Sequence, residues 1–270
     1  MNSRERFLTN VSHQQPDQMV VDFGATSVTG IHVLAVDSLR NYYGLESHPA
    51  RVVDPYQILG ELNSELIDII GIDTVGAKGK NNSFGFYNHG PLKEYVTNWG
   101  QRVLVPEGFR TTTGEKGDVL VYPEGDLSAG PSARMPRSGY FFDAIIRQQP
   151  IDEEKLNPQD NPEEYGLVAD DDLEYWRKIT QKARATGKVV VAGLGGTALG
   201  DIAHIPGMKL KKPKGIRDIT EWYMSIAMRT DYVRAGFDIT NPVQINAKGM
   251  DPLLLRKKYG KNIVFYNKLF

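Results

Sequence analysis

Five short apolar runs, at 19–23, 72–75, 188–192, 237–243 and 263–266, set the fold class of this chain. They are rich in Val and Ile and mostly bordered by glycine, proline or aspartate, which reads as strands with punctuated ends. Stretches with helical spacing lie between several of them. Strands that alternate with helices predict a parallel sheet, because parallel neighbours need a long crossover, usually a helix. The expected fold class is therefore α/β, with about five core strands where a closed barrel needs eight. At 270 residues the chain is long enough to bury a real core as a single domain over 1–270. No internal repeat is visible.

The helical segments carry their own signals. Ser3 is placed to cap a short helix with Phe7, Leu8 and Val11 on one face. Residues 31–43 repeat Ile31, Ala35, Leu39 and Tyr42 at helical spacing and stop at Gly44. Asp54, Pro55 and Gln57 resemble a helix start, which predicts a helix from 54 to Gly71 burying Ile58, Leu59, Leu62, Leu66, Ile69 and Ile70. Further helices are expected from Asp170 to Gly187, after Asp218, and from Asp251 to Gly260. Only Tyr232 to Ala235 separate a helix start at Thr230-Asp231 from a helix end at Ala235-Gly236, which leaves a single turn. From 84 to 143 the pattern changes to short alternating or β-branched runs, at 102–105, 109–113 and 118–122, between Pro-Glu-Gly and Gly-Glu-Lys-Gly turns. This predicts an inserted antiparallel β meander over one end of the main sheet. The acidic, proline-bearing stretch 150–165 reads as loop.

Composition removes several classes of function. The formal net charge of −1 gives no overall field for nucleic acid or anionic membrane. The densest basic run, KLKKPK at 209–214, is interrupted by Pro213 and reads as a solvated loop. With no cysteine, the chain has no disulfides, thiolate metal ligands or cysteine nucleophile. No signal-peptide pattern and no membrane-spanning apolar run is present, so a soluble, cytoplasmic protein is expected.

Polar groups at strand ends are the first candidates for a site, because loops leaving the carboxyl ends of parallel strands converge on one face. In GFDITNPVQINAKGMD, Asn241-Pro242 ends a strand-like run, and Asn241, Gln244 and Asn246 follow with amides. The same amides also suit a turn that satisfies its own backbone. In KVVVAGLGGTA, Gly193, Gly195 and Ala198 have the form of a dinucleotide fingerprint after a strand. Pro206-Gly207 cuts any following helix short, and the region near Asp218 is helical where an acidic strand end is needed. A glycine loop bordering a pocket fits Gly193 and Gly195 equally. The Asp170–Asp172 run suits a helix start, and Asp118, Glu124 and Asp126 suit turns. Tyr140-Phe141-Phe142 fits core packing or a pocket wall.

The opening RERFLTNVSHQQPDQMVVDFG resembles the start of the uroporphyrinogen decarboxylase superfamily. The segments EWYMSIAMRTDYV and GFDITNPVQINAKGMDPLLLRKKYGKNIVFYN resemble two later blocks, closest to the methyltransferase-like branch. The resemblance implies a (β/α)8 TIM-barrel-like fold. It implies a lyase acting on a tetrapyrrole such as a porphyrin, or a methyltransferase linked to a corrinoid or a corrinoid protein. Decarboxylation in that family needs no cofactor. The resemblance assigns Asp22 the catalytic role of stabilising a cationic pyrrole intermediate, with Asn241 and Gln244 orienting the substrate. Three departures stand beside it. The methyltransferase branch holds zinc with a His-x-Cys pair and a later Cys, and this chain has no cysteine and no metal set among its five histidines. The arginine-rich loop that binds substrate carboxylates in the decarboxylases is GATSVTGIH here. Roughly two βα units between Val233 and Arg234, and a strand after Tyr266, have no counterpart, so the barrel is expected to be incomplete. The competing expectation is a family member that has lost catalysis and keeps a binding or scaffold role. Unpaired strand edges would favour a homo-oligomer.

Overall fold

The computed structural model describes residues 1–164, 168–193, 206–234, 239–240 and 264–265. Two helices open the chain, α1 (Ser3–Val11) and α2 (Val33–Tyr42). They are followed by β1 (Ala50–Asp54), β2 (Leu59–Gly60), α3 (Ser64–Ile70) and β3 (Thr74–Ala77). Six strands come next: β4 (Leu92–Val96), β5 (Arg102–Pro106), β6 (Thr111–Thr113), β7 (Val119–Val121), β8 (Ala133–Met135) and β9 (Asp143–Ala144). Then come α4 (Asp170–Ala185), β10 (Val189–Ala192), α5 (Ile219–Met228), α6 (Thr230–Arg234), β11 (Ile239–Thr240) and β12 (Val264–Phe265).

The fold is mixed α/β. Two parallel pairs join runs expected to be core strands: β3 with β10, in register from Thr74↔Val189 to Ala77↔Ala192, and β11 with β12. A third parallel pair, β1 with β5, is not expected from the sequence, where Asp54 marks a helix start and 102–105 belongs to an antiparallel insertion. In that sheet the order is β2-β1-β5-β4, with both outer pairs antiparallel. The rest of the β-rich stretch is the expected antiparallel meander, β6-β7-β8-β9. Among the described residues the sheets are open and no barrel closes.

The hydrophobic core lies where the β1–β5 sheet, α2 and the meander meet. Phe84, Phe109 and Phe142 are almost fully buried there with Val33, Val36 and Val103. Their rings meet edge-on, Phe84–Phe142 at 6.1 Å and Phe109–Phe142 at 6.4 Å, a favoured aromatic geometry. Of the Tyr140-Phe141-Phe142 run, Phe142 packs inside while Tyr140 and Phe141 are exposed.

Three expectations are corrected. Residues 19–23 form no strand. The Asp73 N–H donates to the Val21 carbonyl at 2.8 Å, but the Val21 N–H goes to the Asp73 carboxylate at 3.1 Å. A side chain therefore takes a bond that a ladder would need. The expected helix 54–70 forms only as α3, capped by Asn63 at the Leu66 N–H (3.1 Å). Upstream, the Asp54 carboxylate accepts from the Tyr56 and Gln57 amides and makes a turn, and Ile58 adopts φ 52°. Gly60 lies so close to α2 that a Cβ there would be 2.6 Å from Val36 Cγ2. Ile58, Leu59 and Leu66 are buried as expected, but from three different local structures.

The third correction concerns α1. Leu8 and Val11 are exposed, and the buried residue of this helix is Arg6. Arg6 pairs with the buried Asp73 and, at 2.8 Å, with Asp17. The cap is Asn2, in a reciprocal box with Glu5, rather than Ser3. The remaining helices match, including Asp218 capping α5 through the Thr220 amide (3.0 Å) and the short α6. The helix expected over 251–260 lies outside the described residues. No helix among those described is long and apolar enough to cross a membrane.

Candidate functional site

Two adjoining cavities, of about 330 and 470 Å³, share Gly24, Ala25, Val53, Lys78, Asn82 and Asn88 in their walls. The larger opens at the carboxyl ends of three strands: Asp54 ends β1, Lys78 and Gly79 follow β3, and Gly193 follows β10. The smaller runs alongside β3 and is closed by α3 and the C-terminal half of α4.

Local packing explains why these strand ends form a hollow. At Gly76 an added Cβ would sit 2.0 Å from the Ala25 carbonyl oxygen, so only glycine lets the 24–25 backbone cross β3 here. From the other side Tyr175 of α4 donates its hydroxyl to the Lys78 and Gly79 carbonyls, at 2.9 and 3.1 Å. Lys80 binds Asp171 at 2.6 Å and Asp172 at 3.3 Å, fastening the start of α4 to the same loop. The Asp170–Asp172 run thus acts through helix docking.

The smaller cavity is positively charged. Arg51, Lys78 and Lys182 line it against one carboxylate, Glu61. Arg51 binds Glu61 at 3.1 Å and the Asn88 carbonyl, while its Nε is buried without a partner among the described residues. Burial, and then the charges of Arg51 and Lys182, hold the His89 imidazole below its ordinary value.

Lys78 stands at the junction of the two cavities and is half-buried. Among the described residues no carboxylate lies within 4 Å of its ammonium, and its Nζ makes no hydrogen bond. Burial lowers its basicity, opposed by the fields of Glu61 and Asp54 and assisted by that of Arg51.

Asp22 accepts from the Thr74 hydroxyl at 2.5 Å and the Thr29 hydroxyl at 3.3 Å, both at Oδ1. Its neighbours Phe23 and Gly24 line the smaller cavity, and Asp22 itself does not. Gly193 lines the larger cavity. Gly195, Asn241 and Gln244 lie outside the described residues. The turn acids are paired: Lys211 binds Glu124 and Asp126 at 3.1 Å each, and Arg134 binds Asp118 at 3.4 Å. Among the described residues no three His, Asp or Glu side chains converge as a metal site.

Arg51, Lys78 and Lys182 were not anticipated. Lys78 follows one of the expected strands within three residues, so the strand-end rule applied there would have reached it. Arg51 lies on a strand that local pattern hides, and nothing in the sequence separates Lys182 from other helix-surface lysines. No family model, curated protein or solved structure matches this chain.

Proposed function

We propose that this chain is a uroporphyrinogen decarboxylase-like protein that binds a polycarboxylate tetrapyrrole at the strand-end cavities and decarboxylates it. The supporting observation is the gathering of Arg51, Lys78 and Lys182 against the single carboxylate of Glu61. Cations in a partly dry pocket attract carboxylates more strongly than the same groups in water. In the family this task belongs to an arginine-rich loop after the first strand. Here that loop has no arginine, and β1, β3 and α4 supply the cations instead. Cavities of this size fall in the range of small-molecule sites.

In this reading the parallel pairs belong to a (β/α)8-type wheel with units missing, and Asp22 stabilises the cationic pyrrole formed as carbon dioxide leaves. Methyl transfer through thiolate-bound zinc is the weaker branch, since the chain has no cysteine. A binding role without catalysis is favoured by one feature: Asp22 lines neither cavity and its Oδ1 is engaged by two threonine hydroxyls.

Absorbance titration with a polycarboxylate porphyrin, followed by mass analysis of the reduced porphyrinogen after incubation, tests both. Binding is expected, and Arg51→Ala should weaken it by about tenfold or more, the worth of a charge-assisted hydrogen bond. Binding without loss of carbon dioxide would leave the non-catalytic role. Absence of binding would remove the tetrapyrrole reading.

A further inference from the structure

We propose that the Lys78 amine forms an imine with the carbonyl carbon of a small keto acid held in the same cavities. The inference rests on those cavities being an anion site, and adds a covalent step that the tetrapyrrole reading does not contain. Three other lysines are committed to carboxylates: Lys80 to Asp171 and Asp172, Lys188 to Asp68 at 3.1 Å, and Lys211 to Glu124 and Asp126. Lys78 lines both cavities, where Lys182 lines only the smaller and Lys209 only the larger, and the Lys78 Nζ has neither ion pair nor hydrogen bond among the described residues. Its main chain is fixed by the Tyr175 hydroxyl, so the amine is presented from a rigid strand end. Burial lowers its basicity, which raises the share of neutral, nucleophilic amine.

The step balances without an oxidant or reductant. The Nζ lone pair adds to the carbonyl carbon, and the carbonyl π pair moves to oxygen, which takes up a proton. The ammonium formed gives its extra proton to solvent, which supplies the one taken up by the oxygen, and Glu61, which lines the smaller cavity, acts on Lys78 only through its field. The carbinolamine hydroxyl then takes a proton from solvent and leaves as water while the nitrogen lone pair closes the C=N bond, which leaves the protonated imine. The carboxylate of the keto acid is met by Arg51 and Lys182, whose charges are only partly answered by Glu61.

Pyruvate with cyanoborohydride, applied to the full chain and read by peptide mass spectrometry, tests the step. The expected result is a reduced adduct concentrated on Lys78, lost in Lys78→Arg and retained in Lys155→Arg, a surface control. Adducts spread over the lysines according to exposure would overturn the proposal, and this pattern is read on the unaltered protein. Trp176 lines the larger cavity, so its fluorescence reports pyruvate binding separately. Binding without an adduct on Lys78 would sink the imine and leave the anion site standing. No binding would sink both.

Discussion

Lys78 carries a cost that its surroundings do not offset. A half-buried ammonium with no ion pair among the described residues has lost hydration and gained no direct partner. Burial accordingly lowers its pKa below the ordinary 10.5, with Glu61 and Asp54 resisting and Arg51 assisting. The unfolded chain then holds this proton more tightly than the folded one. Stability gains with rising pH between the lowered folded value and 10.5, and the destabilisation is fully present below that window. Lys78→Met, which keeps the stem and removes the charge, is therefore expected to be more stable than the parent at pH 7. The advantage should shrink as pH approaches 10.5. Urea unfolding of both proteins across pH checks this, and a variant equal to or weaker than the parent at neutral pH would count against a desolvated amine. Residues destabilising in this way are a recurrent signature of function.

At the scale of elements, the crossing of the 24–25 backbone over β3 shapes both cavities. Gly76→Ala forces a Cβ into the Ala25 carbonyl at 2.0 Å, a backbone contact that no side-chain rotation relieves. A loss of about 1–3 kcal/mol is expected, the usual cost of overpacking. Anion affinity should fall with it, since Gly24 and Ala25 line both cavities. Unchanged urea midpoint and affinity would show that the crossing is looser than this. Much of this architecture is legible locally. The β3 and β10 runs read as strands because each is a β-branched segment between glycines, and α2, α4 and α5 read as helices from caps and periodicity. The helix expected across 54–70 fails because its obstacles are tertiary. Gly60 is required by Val36, more than twenty positions away, and the β1–β5 pairing joins segments about fifty residues apart. Asp22 could be singled out in advance, whereas Lys182 becomes a site residue only when α4 lies across β3.

For the whole molecule, the distribution of charge matters more than its sum. The chain carries a formal net charge of −1, while three cations and one carboxylate line the smaller cavity. An approaching polyanion therefore meets no long-range attraction and feels the cations only near the cavity mouth. Salt screens distant fields far more than contacts inside a partly dry pocket. The Debye length falls from ~30 Å at about 0.01 M to ~8 Å at about 0.15 M. Electrostatic steering would make association strongly salt-dependent, whereas local ion contacts act mainly on dissociation. Stopped-flow binding of a polycarboxylate porphyrin across that range of salt is expected to show an association rate that changes little and a dissociation rate that rises. Arg51→Ala should raise the dissociation rate at low salt and flatten its salt dependence. An association rate that drops steeply with salt would mean that a broad positive face, rather than the strand-end cavity, draws the ligand in.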